Sequence, residues 1–241
     1  MRFDILTLFP EMIEGMIKDS ILKRAIEKGI IEVNIINFRD FSTNKHHTVD
    51  DYAYGGGAGM LISVEPIHLA MQTIPGISDA KVILTSPSGN VWKQEKAYEY
   101  SKEEHIVIIC GHYEGIDNRI LKYVDEEISI GDYVLTGGEI AATVLIDSIS
   151  RLVKGVISDD SIVNESHQDN LLEYPQYTRP LEYDGEKVPE VLYSGHHANI
   201  KKYQRYESLK KTYLVRPDLL EKANLSKEDL KMLEEIKNET N

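Results

Sequence analysis

Short apolar runs alternate with segments of helical periodicity along the first two thirds of this chain. Residues 2–9 and 30–38 are rich in Ile, Val, Leu and Phe, and apolar residues recur at helical spacing from Met12 to Ile26. The same alternation continues, with apolar runs at 81–85 and 106–110 and helix-like segments near 65–74, 92–103 and 116–123. This alternation predicts an α/β fold, in which a mostly parallel sheet carries helices on both faces.

The pattern changes near residue 158. From Ser158 to Asn170 the sequence is polar, which indicates a linker or a mobile loop. A turn-rich stretch with three prolines follows, and then amphipathic segments near 197–211, 217–223 and 226–237. We therefore predict an α/β domain over 1–157, an interdomain linker over 158–173 and a small helical C-terminal domain over 174–241.

Composition excludes several classes of protein. With 241 residues, of which 41% are hydrophobic, the chain can bury a core, so a disordered or fibrous protein is disfavoured. No apolar stretch approaches the roughly 20 residues of a membrane span, and Asp4 interrupts any secretory signal. The single cysteine, Cys110, has no intrachain partner. We predict a cytoplasmic protein without disulfides or membrane segments.

The net charge of the chain is negative, but one segment is strongly positive. A net charge of −13 argues against a protein that coats nucleic acid indiscriminately. Over residues 200–216, Glu207 is the one acidic residue among six basic ones, which are Lys201, Lys202, Arg205, Lys210, Lys211 and Arg216. Charge alone leaves two interpretations open, a solvated amphipathic face or a surface that contacts phosphates.

Three glycine-containing loops are the candidates for a ligand site. In open α/β sheets, ligands collect outside the carboxyl ends of the strands. The segment Ser86-Pro87-Ser88-Gly89 follows one predicted strand, 111–115 follows another, and 130–139 forms a third loop. Glycine lets backbone groups approach a flat ligand closely, as an adenine or a methionine moiety requires. Any one loop alone is more typical of an ordinary turn, but three together favour a pocket.

Familiar nucleotide and metal motifs are missing. No Gly-x-Gly-x-x-Gly follows a strand, and the glycine run over 54–60 lacks the Lys-Ser/Thr of a P-loop. That run indicates a flexible flap or a close backbone contact, and its neighbours Asp50 and Asp51 are either acceptors for a base edge or part of a solvated turn. The adjacent pairs His46-His47 and His196-His197 lack metal-site spacing, so we predict no metal site.

Several longer motifs resemble one enzyme family, tRNA (guanine-N1-)-methyltransferase, the TrmD family. They include Thr48-Val49-Asp50-Asp51 with Tyr54-Gly55-Gly56-Gly57, Cys110-Gly111-His112-Tyr113-Glu114-Gly115-Ile116-Asp117, Ser129-Ile130-Gly131-Asp132-Tyr133-Val134-Leu135 and Tyr177-Thr178-Arg179-Pro180. The resemblance runs from Leu8 to Leu220. It implies a SPOUT-class methyltransferase with a trefoil-knotted cofactor domain, acting as a homodimer with a shared active site.

The resemblance also implies the reaction and its partners. A methyl group would pass from S-adenosyl-L-methionine to N1 of the guanosine at position 37 of a tRNA that carries guanosines at positions 36 and 37. Magnesium is implied as well, without a site. The implied methyl-donor contacts are Pro87, Gly111, Glu114, Ile130, Gly131, Asp132, Tyr133, Val134, Leu135, Gly137 and Gly138, and the implied tRNA contacts are Asp50, Gly57, Lys201, Lys202 and Arg205.

For catalysis, the resemblance implies a cation and a general base. Arg151 matches the family's arginine at the end of the helix after the third loop. The family usually has an aspartate base in an Asp-Ser-Phe segment, where this chain has Glu165-Ser166-His167. Glu165 is therefore the predicted base, Asp169 is the runner-up, and His167 lies close enough in sequence to be considered. The alternative functions are those of a non-catalytic tRNA-binding homologue and of a nicotinamide-dependent oxidoreductase, and the missing dinucleotide motif disfavours the second.

Overall fold

The computed structural model describes residues 1–158, 166–167 and 169–240. The chain divides into two compact units, Met1–Asp159 and Asp160–Asn241. None of the described helices is long and apolar enough to cross a membrane.

The first unit is built on a parallel five-stranded sheet with the order β2-β1-β6-β5-β7. Its strands are β1 (Arg2–Thr7), β2 (Glu32–Asn37), β5 (Lys81–Val91), β6 (His105–Cys110) and β7 (Glu126–Ser129), with a small antiparallel pair, β3 (Asp50–Asp51) and β4 (Leu61–Ile62), outside the sheet. Its helices are α1 (Pro10–Ile17), α2 (Ser20–Glu27), α3 (Val64–Gln72), α4 (Gln94–Tyr100) and α5 (Glu139–Ser150).

Helices cover both faces of this sheet, as predicted. Along β1 and β6, successive residues alternate between two buried clusters, because neighbouring side chains on a strand point to opposite faces. Ile5 and Ile108 pack with α1, α2, α4 and α5 on one face. Leu6 and Ile109 pack with α3 on the other. The sheet is thus buried on both sides, which is typical of parallel sheets.

Two predicted elements differ from the structure. The apolar residues from Met12 to Ile26 form two helices, because Asp19 caps a second one by accepting a hydrogen bond from the Ser20 backbone N–H at 2.6 Å. The helix predicted near 116–123 is a short 3-10 helix, Asn118–Tyr123.

The second unit is mainly helical. It contains the hairpin strands β8 (Glu182–Tyr183) and β9 (Glu186–Lys187) and the helices α6 (His197–Val215), α7 (Pro217–Leu220) and α8 (Lys227–Thr240). Leu209 of α6 packs against Met232, Leu233 and Ile236 of α8 in a core of its own. These helices confirm the helical C-terminal region predicted from the amphipathic segments.

Candidate active site

Three loops meet at the carboxyl edge of the sheet. The first, 86–89, lies within β5, the second, 111–115, follows β6, and the third, 130–139, follows β7. These three strands are neighbours in the sheet order, with β5 between β6 and β7. The pairing of β5 with β7 is irregular between Thr85 and Asn90, so the chain over 86–89 leaves the ladder before rejoining it. An added Cβ on Gly89 would lie 2.4 Å from the backbone carbon of Glu127. Glycine at this position therefore lets the first loop pass directly against β7.

The loops enclose a cavity of about 440 Å³. This volume lies within the usual range for small-molecule sites. Its lining includes all the predicted methyl-donor contacts except one, namely Pro87, Gly111, Glu114, Ile130, Gly131, Tyr133, Val134, Leu135, Gly137 and Gly138. Asp132 is exposed and does not line the cavity. The side chain of Val134 is 83% exposed, which places it at the rim.

Close backbone contacts explain why glycine stands at two of these positions. An added Cβ on Gly138 would lie 2.1 Å from Thr85 Oγ1 and 3.0 Å from the Cα of Cys110. The Gly138 N–H donates to the carbonyl of Gly111 at 2.8 Å, which ties the third loop to the second. At Gly137, an added Cβ would meet Glu139 and His112 side-chain atoms at 2.4 Å. A side chain at either position would have to displace the wall of the cavity.

The glycine-rich segment that contains Gly57 joins β3 to β4 and is anchored on the second loop. The N–H of Glu114 donates to the carbonyl of Met60 at 3.2 Å, and the N–H of Ile62 donates to the carbonyl of Gly115 at 2.9 Å. Gly57 is exposed with φ +134°, a backbone conformation that side chains disfavour. Asp50 is half-buried in β3. The segment therefore lies against the loop that lines the cavity.

A buried carboxylate stands beside the cavity. Glu139, the first residue of α5, is 1% exposed and accepts a hydrogen bond from Thr7 Oγ1 at 2.7 Å. Burial raises the pKa of the Cys110 thiol well above its usual value, and the negative charge of Glu139 raises it further. Cys110 is thus a buried neutral thiol.

The predicted tRNA contacts of the second unit lie on α6 but differ in their surroundings. Lys201 and Lys202 are exposed. Arg205 is held by Asp229 of α8, to which its Nε and Nη2 donate at 2.8 and 2.9 Å. The Asp229 hydrogen bonds raise the pKa of Arg205 and lower that of Asp229 to about 2. Arg205 therefore stabilises the α6–α8 pair.

The sequence of this chain is similar to those of known proteins. The family model described as tRNA (Guanine-1)-methyltransferase TrmD matches residues 1–222. The chain belongs to this family. It is 54% identical to the tRNA (guanine-N(1)-)-methyltransferase of Dictyoglomus turgidum, over 99% of this chain and 98% of that protein. It is 56% identical to the enzyme of the same name from Clostridium perfringens, over 97% of this chain and 99% of that protein.

Membership has direct consequences for fold and chemistry. The family belongs to the SPOUT class, which agrees with the five-stranded parallel sheet and its covering helices. It is a family of methyltransferases, and it implies S-adenosylmethionine as methyl donor and tRNA as substrate. The expected enzyme class is confirmed, and the chain's single cysteine precludes an intrachain disulfide.

The predicted catalytic residues are distributed over both units. Arg151 is half-buried at the C-terminal end of α5, where the helix dipole favours a cation. Asp169 belongs to the second unit and is exposed. Its negative charge raises the pKa of Arg205, although Asp229 has the larger effect. His167 is exposed. Glu165 lies outside the described residues, so its role as base stays a prediction.

Metal ligands do not cluster in the described ranges. Over 1–158, 166–167 and 169–240, no group of three or more His, Cys, Asp or Glu residues is arranged to hold a metal ion. A magnesium ion that is held by one or two carboxylates together with substrate phosphates needs no such group.

Sequence reasoning missed Glu139, Thr7 and Thr85. The sequence feature that could have identified Glu139 is its position directly after the Gly137-Gly138 pair, where a helix begins. Thr7 and Thr85 are each the last residue of a buried strand segment before a loop. Polar residues at the carboxyl ends of parallel strands are candidates for a site by position alone.

Proposed function

We propose that this protein transfers a methyl group from S-adenosyl-L-methionine to N1 of guanosine 37 in tRNA. The observation that carries the proposal is the cavity at the carboxyl edge of the sheet, formed by three loops whose motifs are those of the methyltransferase family. A non-catalytic tRNA-binding homologue is the weaker alternative, because the relatives at more than half identity are named as methyltransferases.

The cavity suits the methyl donor in size and in backbone character. Gly111, Gly137 and Gly138 all line the cavity with main-chain groups. An added Cβ would clash with neighbouring side-chain atoms at Gly137 and Gly138, whereas at Gly111 its nearest contact would be 3.7 Å away. Leu135 and Ile130 supply apolar surface for a purine, while Glu114 supplies a carboxylate. S-adenosylmethionine bound there supplies an electrophilic methyl group on a sulfonium.

Methylation at N1 requires removal of the N1 proton and stabilisation of negative charge at O6. We propose that Glu165 removes the N1 proton, with Asp169 as the alternative, because this proton transfer needs a carboxylate near N1 as general base. Glutamate and aspartate differ in ordinary pKa by only about 0.4 units, so either can act. We propose that Arg151 stabilises the negative charge at O6, because a guanidinium is a permanent cation with several hydrogen-bond donors.

We propose that the glycine-rich segment contacts the target base of the tRNA and that the basic helix α6 contacts its phosphates. Asp50 and Gly57 belong to the segment anchored on the second loop, which makes it suitable for a guanine edge. Lys201 and Lys202 are exposed on α6 and suitable for phosphates. Arg205 would act indirectly, by holding the helix that carries them.

We further propose a homodimer in which the partner chain completes each site. Large apolar side chains remain exposed on α1 and α5, where Met12 is 46%, Ile140 48% and Val144 40% exposed. Helices α1 and α5 are in contact, so these side chains belong to neighbouring surfaces. Exposed apolar groups on adjacent helices favour a protein partner.

The trefoil knot and a requirement for magnesium rest on family membership and are proposed on that basis. A cytoplasmic location is proposed from composition, and the division into 1–157, a linker over 158–173 and 174–241 is proposed from the change in sequence pattern near residue 158. The two compact units, Met1–Asp159 and Asp160–Asn241, support a domain boundary near residue 158.

Single-turnover methylation tests the proposed reaction. Unmodified tRNA with guanosines at positions 36 and 37 is mixed with excess enzyme and saturating S-adenosylmethionine, and N1-methylguanosine is measured over time. We expect Glu165→Gln and Arg151→Ala to lose the chemical step while cofactor affinity is kept, with Asp169→Asn close to wild type.

Two other outcomes would change the assignment of the base or of the function. An inactive Asp169→Asn with a normal Glu165→Gln assigns the base to Asp169. A wild-type protein that binds tRNA and S-adenosylmethionine but forms no N1-methylguanosine supports the non-catalytic alternative.

A further inference from the structure

Glu139 carries a buried oxygen that no part of the proposed reaction uses. Its Oε1 accepts from Thr7 Oγ1 at 2.7 Å, whereas its Oε2 has no hydrogen-bond partner within the described residues. A buried carboxylate oxygen without a partner is costly, because it has lost its hydration. Glu139 is the first residue of α5, so its carboxylate lies at the positive end of that helix. Within the described residues its Oε2 stays available as an acceptor.

His112 is the polar side chain that shares this space. A Cβ built on Gly137 would lie 2.4 Å from Glu139 Oε2 and 2.4 Å from His112 Cδ2, so the two side chains flank the same α-carbon. The backbones of His112 and Gly137 form a β-bridge, which fixes this neighbourhood. His112 and Gly137 both line the methyl-donor cavity.

The imidazole also carries an unsatisfied atom. His112 Nδ1 is buried without a partner in the described chain. The ring packs against Phe9 with centroids 4.6 Å apart and against Tyr113 at 5.2 Å. A half-turn about the Cβ–Cγ bond exchanges Nδ1 with Cδ2 and leaves the ring in the same plane. That half-turn puts Nδ1 at the present position of Cδ2, on the side of Gly137 where Glu139 Oε2 lies.

We propose that Glu139 is a positioning residue for methyl transfer, which holds His112 at the cavity wall through an Nδ1–H hydrogen bond to Oε2 in the cofactor-bound state. Nε2 then remains as the polar atom of the ring available to the ligand. A carboxylate that orients an imidazole by its second nitrogen is a common arrangement in functional sites. The inference rests on the proposed function, because it concerns the cavity assigned to S-adenosylmethionine.

Cofactor binding without turnover provides the test. Isothermal titration calorimetry with S-adenosylmethionine compares the wild type with Glu139→Gln, His112→Phe and the double variant. We expect Glu139→Gln to bind about tenfold more weakly, the size of one hydrogen bond to a charged group. We expect the double variant to bind no more weakly than His112→Phe, because both changes remove the same interaction.

Asp4→Asn is the matched control. Asp4 is also a fully buried carboxylate on β1, three residues before Thr7, and it is hydrogen-bonded to Arg2 and His105. We expect Asp4→Asn to lower the unfolding midpoint and to leave cofactor affinity unchanged. Equal cofactor affinity in Glu139→Gln and Asp4→Asn would overturn the proposal.

A spectroscopic measurement on the wild type avoids any dependence on folded variants. Nitrogen-15 NMR of the histidine rings reports which nitrogen carries the proton. With S-adenosylmethionine bound, we expect a protected Nδ1 proton on His112. An unprotonated His112 Nδ1 in the complex refutes the inference, whereas a wild-type protein that binds no S-adenosylmethionine refutes the proposed function instead.

Discussion

Replacing Asp229 by Asn is expected to destabilise the C-terminal unit. Its carboxylate accepts two hydrogen bonds from Arg205 of α6. It also forms a capping box at the start of α8, because Oδ2 accepts from the Ser226 N–H at 2.8 Å and the Asp229 N–H donates to Ser226 Oγ at 3.1 Å. One side chain therefore secures both the helix start and the contact between two helices.

The size of the effect follows from the pKa of Asp229. Hydrogen bonds from Arg205 are the largest cause that lowers it from 3.8 to about 2. One pKa unit corresponds to about 1.4 kcal/mol, so the ionised carboxylate contributes about 2 kcal/mol to the free energy of unfolding. Because the folded-state pKa is lowered, this contribution is complete above the unfolded pKa near 3.8 and is lost as the pH falls toward 2.

Urea unfolding of the full chain measures this contribution. Far-UV circular dichroism reports on helices of both units, whereas Trp92 is the only tryptophan and reports on the first unit alone. We expect Asp229→Asn to lower the circular dichroism midpoint at neutral pH without moving the Trp92 transition.

Asp218→Asn is the control. Asp218 forms a similar pair with Arg216 on the surface, where solvent screens it, so we expect no shift in the midpoint. An Asp229→Asn protein that unfolds at the wild-type urea concentration would refute the reasoning, and with it the structural role of Arg205.

Three further predictions concern the site. Gly138→Ala places a methyl group 2.1 Å from a buried threonine oxygen, so we expect a loss of about 1–3 kcal/mol in stability together with weaker S-adenosylmethionine binding by calorimetry. Gly15→Ala, which has open space in α1, should be neutral or stabilising in the same assays. Cys110 should resist alkylation in the native protein at mildly alkaline pH, because burial raises its pKa, and rapid labelling before unfolding would contradict this. Lys201→Gln and Lys202→Gln should each weaken tRNA binding at low salt and reduce the slope of log affinity against log salt by about 1. An unchanged slope would remove these lysines from the phosphate contacts.

Local sequence patterns determined the class of the fold and much of the site. Apolar runs predicted β1, β2, β6 and the start of β5, because a strand buried on both faces needs consecutive large apolar residues. Helical spacing predicted α6 in the C-terminal region. Glycines beside polar residues marked the three loops, because a loop that approaches a ligand or another backbone excludes side chains.

Only the tertiary structure decided the features that depend on distant partners. Strand β7, with the sequence Glu126-Glu127-Ile128-Ser129, has no continuous apolar run and becomes a strand by pairing with β5. The strand order places the loop within β5 and the loops after β6 and β7 side by side, although the segments 90–110 and 116–129 separate them in the sequence.

The same holds for the buried carboxylate of Glu139. It bonds to Thr7, 132 positions away in the sequence. Periodicity reports which face of an element is buried, but not which elements become neighbours. Long-range packing of the whole sheet determines which elements become neighbours, and it brings the three glycine-containing loops together around one cavity.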